Sequence, residues 1–331
     1  MSEFRRRAER AAAAQGQRGV REESHLTPPL VGGLRRAGSL HYRETHATLR
    51  TERQLRQATR QYQDIGPGAS WQILDPRELW HFRDLLGTLA GRDVKLRYRQ
   101  TALGVIWDLI QPVVPAFILS IVFGQIAKVP SGGVPAFVFV YAGMLGWNAF
   151  NNTLMKASAS LVQDAGLLSK VYFPRLVLPL STILSTFVDF AITAALLPIM
   201  FALTGIRPGL SLLLLPLWLL LLIGLAFGLG LWLSAWMVTY RDVKYALPVL
   251  LTFLMYASPI AYPASAIPPA LRTYFLINPL APLIEGMRWS LFDRGTLLWG
   301  NIAYSAVFMV LALGWGAFVF SRLERRFADV I

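Results

Sequence analysis

Long apolar stretches alternate with short polar connections along most of the chain. Charged residues are absent from 109–127, 129–155, 176–188, 190–206, 208–240, 245–271 and 295–321. Several of these stretches exceed the roughly 20 residues that a helix needs to cross a hydrocarbon core of about 30 Å. None shows the polar face that a soluble helix presents to water. The pattern predicts an all-α integral membrane protein with a transmembrane domain at 101–331, whose six transmembrane helices lie at 105–127, 135–157, 176–203, 210–238, 243–260 and 297–320.

Two segments precede the first predicted span. Residues 1–70 are rich in Arg, Glu, Gln and Ala, which predicts a disordered basic cytoplasmic extension. Residues 71–100 predict an amphipathic helix in the membrane interface. In that segment Asp75 is placed as the N-cap, Pro76 as the first helical residue, and Glu78 completes the capping box.

Composition and charge placement agree with a membrane protein. Hydrophobic residues make up 54% of the chain and charged residues 15%, and the mean hydropathy is +0.45. The formal charge is +13, but with both termini inside, 27 Lys and Arg lie on the cytoplasmic side and five on the external side. This asymmetry is typical of positive-inside topology and not of a nucleic-acid-binding surface. The sequence therefore predicts a multi-pass protein with both termini in the cytoplasm and no nucleic-acid partner.

The fifth span and the segment after it are unusual. Pro248 and Pro259 bracket that span and leave ten residues between them, about 15 Å of helix. Residues 262–296 form a long external segment whose apolar stretches are too short to cross a bilayer and which holds Glu285 and Arg288 at i, i+3. These features predict short re-entrant external helices between spans five and six, a candidate outer gate.

Two short connections on the predicted cytoplasmic side carry distinctive residues. The first predicts a brief helix that is capped by Asp164 and stops before Pro174. Leu167 and Leu168 lie at its exposed tip, where either a partner's apolar groove or the bilayer surface would cover them. The second connection is Tyr240-Arg241-Asp242-Val243-Lys244.

Asp189 is the one ionisable residue deep inside a predicted span. Its insertion costs about 2.5–3.5 kcal/mol, so such a residue usually faces protein. Contact with substrate or ions and a structural hydrogen bond are both open, since Ser185 and Thr186 lie one turn away.

Small and aromatic residues in the spans have packing and functional interpretations. Gly224-x-x-x-Gly228 followed by Gly230 favours close helix packing, most simply within the chain. Four aromatic residues are candidates for stacking on sugar faces along a channel, although interfacial anchoring is the commoner role of membrane Trp and Tyr: Trp147, Phe150, Tyr256 and Tyr262.

Several site classes are missing from the sequence. There is no G-x-x-x-x-G-K-[ST] loop, so ATP-driven work must come from another polypeptide. There is no cysteine and no G-x-S-x-G elbow. A polyprenol-linked glycosyltransferase would need paired acids or bases on one aqueous side, and the predicted external side offers Glu285 and Asp293 alone. We therefore expect a non-enzyme without its own cofactor.

Several separated blocks resemble ABC-2 type permeases that export O-antigen and teichoic acid polysaccharides. They are LRYRQTALGVIW at 96–107, Gln111-Pro112, LSKVYFPR at 168–175, YRDV at 240–243, Asn278-Pro279 and IEGMRW at 284–289. The resemblance extends from about residue 76 to the C-terminus in the family's order. It implies a permease of the bacterial inner (cytoplasmic) membrane that moves undecaprenyl-pyrophosphate-linked polysaccharide. An ABC-2 exporter of a small molecule shares the six-span plan and is the alternative within transport.

The resemblance also implies partners and site residues. The expected assembly is a homodimer in membrane lipid with two copies of a separate ATPase that binds ATP and Mg. ATPase coupling is expected at Asp164, Leu167, Leu168, Lys170, Tyr172, Arg241 and Asp242. The substrate pyrophosphate is expected at Lys95, Arg97 and Arg99. The channel or gate is expected at Trp147, Phe150, Tyr256, Tyr262, Glu285 and Arg288, and no metal site is expected.

Overall fold

The structure is a computed structural model that describes residues 80, 82–99, 104–168, 173–268, 270, 275 and 277–330. Over these residues the chain forms helices joined by turns, with no strand, which confirms the all-α fold class. The predicted extension at 1–70 and the predicted helix start at Asp75 lie outside the described residues.

The helices follow one another with short connections. In chain order they are α1 Arg83–Tyr98, α2 Ile106–Leu119 continuing as the π-helix Ser120–Ile126, α3 Ala136–Gln163, α4 Ala165–Leu168, α5 Val177–Ala194, α6 Leu196–Thr204, the 3₁₀ turn Leu210–Leu214, α7 Leu215–Thr239, α8 Val243–Tyr256, the 3₁₀ turn Ala264–Ala266, α9 Leu280–Phe292 and α10 Trp299–Val330.

Four of the six predicted spans are helices long and apolar enough to cross a membrane. They are Ile106–Ile126, Val177–Thr204, Leu210–Thr239 and Trp299–Leu323. The other two predicted spans are helical as well, but each lacks one of these properties. Helix α3 has 28 residues but carries Asn148, Asn152 and Lys156, and α8 has only 14 residues, about 21 Å of helix.

Prolines shape the helices differently from the prediction. Pro248 lies inside α8 and does not delimit it, so this helix begins at Val243 and ends at Tyr256. The third predicted span is divided at Ala195 into α5 and α6. The division precedes Pro198 because its ring clashes with the carbonyl four residues earlier.

Helix α3 is the centre of the helix bundle. It packs against α7, α5, α2 and α9, and α7 packs in turn against α10. Tyr141, Phe150 and Trp218 are among the largest fully buried side chains of the core. Lipid tails are as apolar as Leu, so close van der Waals packing rather than water exclusion holds such helices together.

Helix α1 packs on the same bundle through its apolar face. Leu89 is buried in a second cluster with Leu161, Phe173 and Phe320, while Phe82 and Leu86 are half-buried against it. Arg83 and Asp84 on the opposite face are largely exposed. The predicted amphipathic face therefore contacts α5 of the same chain.

The small-residue motif packs within the chain, as predicted. A Cβ at Gly228 would lie 2.6 Å from the backbone of Ala312 and Leu313, and one at Gly316 would collide with the carbonyl of Gly228. A Cβ at Gly230 would lie 2.8 Å from the Cβ of Ala157 on α3. Helices α7 and α10 therefore cross with their backbones in direct contact.

We predict that Gly316→Ala destabilises the protein, because its new methyl group meets backbone that cannot move aside. Overpacking of this kind costs about 1–3 kcal/mol. Gly314→Ala on the same helix is the matched control, since nothing lies within 4 Å of a Cβ there. Thermal unfolding of the detergent-solubilised variants, followed by size-exclusion fluorescence, measures the difference. Equal unfolding temperatures for the two variants would contradict the close crossing.

Candidate functional site

Arg92 of α1 connects that helix to the segment expected to couple to an ATPase. Its Nη2 lies 2.8 Å from Asp164 Oδ1 and 3.0 Å from Asp164 Oδ2, and 3.0 Å from Asp93 Oδ1. Burial lowers the pKa of Arg92, but hydrogen bonds to Asp93 and Asp164 and their charges raise it, and the net shift is upward. The guanidinium therefore stays charged and holds the end of α3 against α1.

The short helix α4 is described over Ala165–Leu168, and its N-terminal cap differs from the predicted one. The backbone carbonyl of Asp164 accepts the N–H groups of Leu167 and Leu168, at 2.9 and 3.2 Å. The carboxylate of Asp164, which the sequence predicts as the cap, instead accepts hydrogen bonds from Arg92. Leu167 and Leu168 are half-buried against the cluster around Leu89, a cover within the chain that the sequence analysis did not consider.

The other predicted coupling residues fall into two groups. Arg241 and Asp242 are exposed on the turn between α7 and α8. The backbone carbonyl of Asp242 accepts the N–H groups of Tyr245 and Ala246, so this residue is the N-cap of α8. Lys170 and Tyr172 lie outside the described residues.

A network of buried charges joins α1, α2, α3 and α5. Arg97 Nη1 lies 2.7 Å from Asp189 Oδ1 and 3.7 Å from Asp108 Oδ2. Lys156 Nζ lies 2.5 Å from Asp189 Oδ2 and 3.1 Å from Ser185 Oγ. Both carboxylates are only 6% exposed. Two cations and two anions thus neutralise one another where isolated charges would be very costly.

A small polar cavity of about 20 Å³ adjoins this network. Its lining includes Gln111, Asn148, Asn152 and Thr186 beside Arg97, Asp108 and Asp189. The sequence pattern points to Asp189 as a site residue but not to Lys156 and Asp108 as its neighbours. The signal was available, because a buried acid needs a cation, and Lys156 lies in the preceding predicted span.

The three residues expected to meet a pyrophosphate are not equivalent. Lys95 and Arg99 are exposed near the end of α1, whereas Arg97 is engaged with Asp189 and Asp108. Within the described ranges no three His, Cys, Asp or Glu residues come together as a metal ion would need.

The aromatic residues expected along a channel lie in two different settings. Trp147 and Phe150 are 4% and 1% exposed, with ring centroids 5.9 Å apart in the core around α3. In this conformation they present no ring face to a solvent channel. Tyr256 is 63% exposed, and Tyr262 stacks with Phe123 and Phe275.

Glu285 and Arg288 of α9 hold the segment that follows α8. Glu285 Oε1 accepts the backbone N–H of Ala264 at 2.7 Å. Arg288 Nη2 donates to the carbonyls of Pro259 and Ile260, and its guanidinium lies 4.2 Å over the ring of Phe139. The two side chains therefore bind separate parts of the backbone instead of pairing with each other at i, i+3.

We predict that Asp189→Asn strongly destabilises the protein, because Arg97 and the half-buried Lys156 would both lose this anion. Breaking a buried pair from one side costs about 3–5 kcal/mol. The double variant Lys156→Met/Asp189→Asn should recover part of this loss in a thermal-unfolding cycle. Asp293→Asn, at an exposed position whose left-handed backbone Asn tolerates, is the control. If Asp189→Asn and Asp293→Asn unfold at the same temperature, the network contributes nothing to stability.

Three known export and transport proteins align with most of this chain. The chain is 27% identical to the O-antigen export system permease protein RfbA of Klebsiella pneumoniae over 259 residues, which cover 76% of this chain and 97% of that protein. It is 27% identical to RfbA of Myxococcus xanthus over 257 residues, 77% of this chain and 98% of that protein. It is 26% identical to the polysialic acid transport protein KpsM of Escherichia coli over 238 residues, 70% of this chain and 91% of that protein.

A family match covers the same region. The sequence profile of the ABC-2 type transporters matches residues 84–292, more than half of the chain. The matched residues include helices α1 to α9. They therefore contain the charge network around Asp189 and the ion pair between Arg92 and Asp164. The chain therefore belongs to the ABC-2 type transporter family.

Proposed function

We propose that this chain is the permease subunit of an ABC exporter that moves undecaprenyl-pyrophosphate-linked polysaccharide across the bacterial inner membrane. The observation that carries the proposal is the alignment with O-antigen export permeases over 97–98% of their length. The chain has no P-loop of its own, so a separate ATPase supplies the energy. Four helices of spanning length support a pathway through the membrane.

The proposed topology has six spans and both termini in the cytoplasm. Helices α3 and α8 are the second and fifth spans in this arrangement. The polar residues of α3 are compatible with a span because α3 lies at the centre of the bundle and turns them toward protein. Helix α1 lies in the cytoplasmic interface, with Lys95 and Arg99 exposed to the phosphates of lipid or substrate.

Two copies of the chain with two ATPase subunits form the proposed transporter. Exposed apolar side chains on α2 and α8 support a helix-lined contact with lipid or with the second copy. Phe117 and Phe253 are 57% and 68% exposed in the single chain. A continuous path for the sugar chain would lie between the two copies.

The proposed coupling route begins at α4 and the turn at Arg241-Asp242. Movement of these segments by the ATPase would pull on Arg92 through Asp164, and α1 would transmit it to Asp189 through Arg97. The distances of 2.8 Å and 2.7 Å at the two ion pairs support such a direct connection. Arg97 would then act by positioning α1, while Lys95 and Arg99 meet the pyrophosphate.

Gentle purification of the tagged protein from its native membrane should bring down a P-loop ATPase and a lipid-linked glycan. Mass spectrometry of the proteins and lipids identifies both. A small molecule in place of the glycan would favour a small-molecule exporter. Glycosyl transfer by the pure protein without an ATPase would favour the glycosyltransferase alternative and overturn the proposal.

We predict that Arg241→Glu abolishes export and reduces recovery of the ATPase, because the substitution reverses the charge of an exposed turn at which coupling is expected. The folded protein should survive, since Arg241 is exposed. Arg207→Glu is the matched control, an exposed arginine on the predicted external side. Surface glycan and co-purified ATPase are measured at equal membrane levels of the variants. Normal export by Arg241→Glu would remove this turn from the coupling route.

A further inference from the structure

A cavity of about 360 Å³ opens on the predicted external side. It lies between residues 130–134, the 3₁₀ turn Ala264–Ala266, α9 and the start of α10. Its volume falls at the lower end of the range of small-molecule sites, about 300–1,000 Å³. It is separate from the charge network, whose cavity is lined by other residues.

The cavity wall combines aromatic surface with polar groups of both kinds. Phe139, Trp289 and Phe292 supply ring surface, while Glu285 and Asn301 supply oxygen and nitrogen atoms. Such a combination of flat apolar surface with a few convergent polar groups is typical of specific ligand sites.

A buried arginine with an unused donor lines this cavity. Arg288 is 4% exposed, and its Nη atoms donate to the carbonyls of Pro259, Ile260 and Tyr262. Its Nε–H has no hydrogen-bond partner among the described residues and is covered by surrounding atoms. Arg288 therefore contributes positive charge to the cavity wall, while its Nη groups hold the backbone after α8.

We propose that this cavity binds a single sugar ring of the exported polysaccharide. The inference rests on the proposed function and assigns it an external sugar subsite. A pyranose places its C–H faces on aromatic rings, and its hydroxyl groups can donate to Glu285 and accept from the side-chain amide of Asn301. The site suits a neutral polyol better than a phosphate, because Glu285 repels anions and the Arg294 guanidinium already donates to the carbonyls of Gly132 and Gly133.

The experiment uses saturation-transfer NMR on the full-length protein in nanodiscs. The probes are mono- to tetrasaccharides released by mild acid hydrolysis from the polysaccharide of the strain that carries this chain. Wild-type protein should transfer saturation to the ring protons of at least one fraction. Trp289→Ala and Asn301→Ala should lose that transfer, since both residues line the cavity and neither is fully buried. Trp299→Ala should retain it, because Trp299 is 66% exposed and is not in the cavity wall.

Each outcome decides the proposal. Loss of transfer in the two cavity variants alone supports it. Absence of transfer from the wild type, retention of transfer by both cavity variants, or equal loss in all three variants overturns it. A deletion strain tested in parallel separates the two proposals. If that strain stops exporting glycan while the wild-type protein shows no transfer, only the sugar subsite fails, and if the strain still exports glycan, the export function itself fails.

Discussion

A carboxylate buried inside an apolar helix requires nearby positive charge, and Asp189 obtains it from two other helices. Lys156 fixes the rotation of α3 against α5, and Arg97 fixes the end of α1 against the same point. The buried Asp108 of α2 lies near enough to share the charge of Arg97. Helices α1, α2, α3 and α5 therefore keep one relative arrangement around Asp189, because separating them would leave a charge without a partner.

The same arrangement gives α1 two attachments on the bundle. Arg92 and Arg97 are five residues apart, about 7.5 Å along a helix, and they reach acids on different elements. Apolar packing of Leu89 lies on the same helix. Helix α1 is thus held by apolar packing in its first half and by two ion pairs in its second half.

The sequence patterns predict where helices lie along the chain, but they do not predict which side chains contact one another. Charge-free stretches located the helices because a bilayer excludes charge, and the Gly228 motif implied close packing because only small residues allow it. The partner of Asp164 could not be predicted, since Arg92 is 72 residues away in the chain. The burial of Trp147 was likewise not predictable, because an aromatic residue in a span suits a core, a channel or an interface equally.

The proline effects show a second limit. The third span is divided just before Pro198, where the proline ring clashes with the preceding turn, but Pro248 is accommodated within α8. A proline weakens a helix by a known amount, whereas the surrounding packing decides whether the helix bends, breaks or continues. The cavity beside α9 could not be foreseen either, since it assembles residues from four separate parts of the chain.

The backbone contact between α7 and α10 has a consequence for motion. Rotation of either helix about its axis would replace Gly228 or Gly316 at the crossing with a bulky neighbour such as Leu229 or Leu313. The two helices therefore form one rigid unit, and the close contact at Gly230 packs this unit against α3. Any opening of the protein must therefore involve elements outside this unit, and α8, whose apolar face is exposed, takes no part in the charge network that joins α1, α2, α3 and α5.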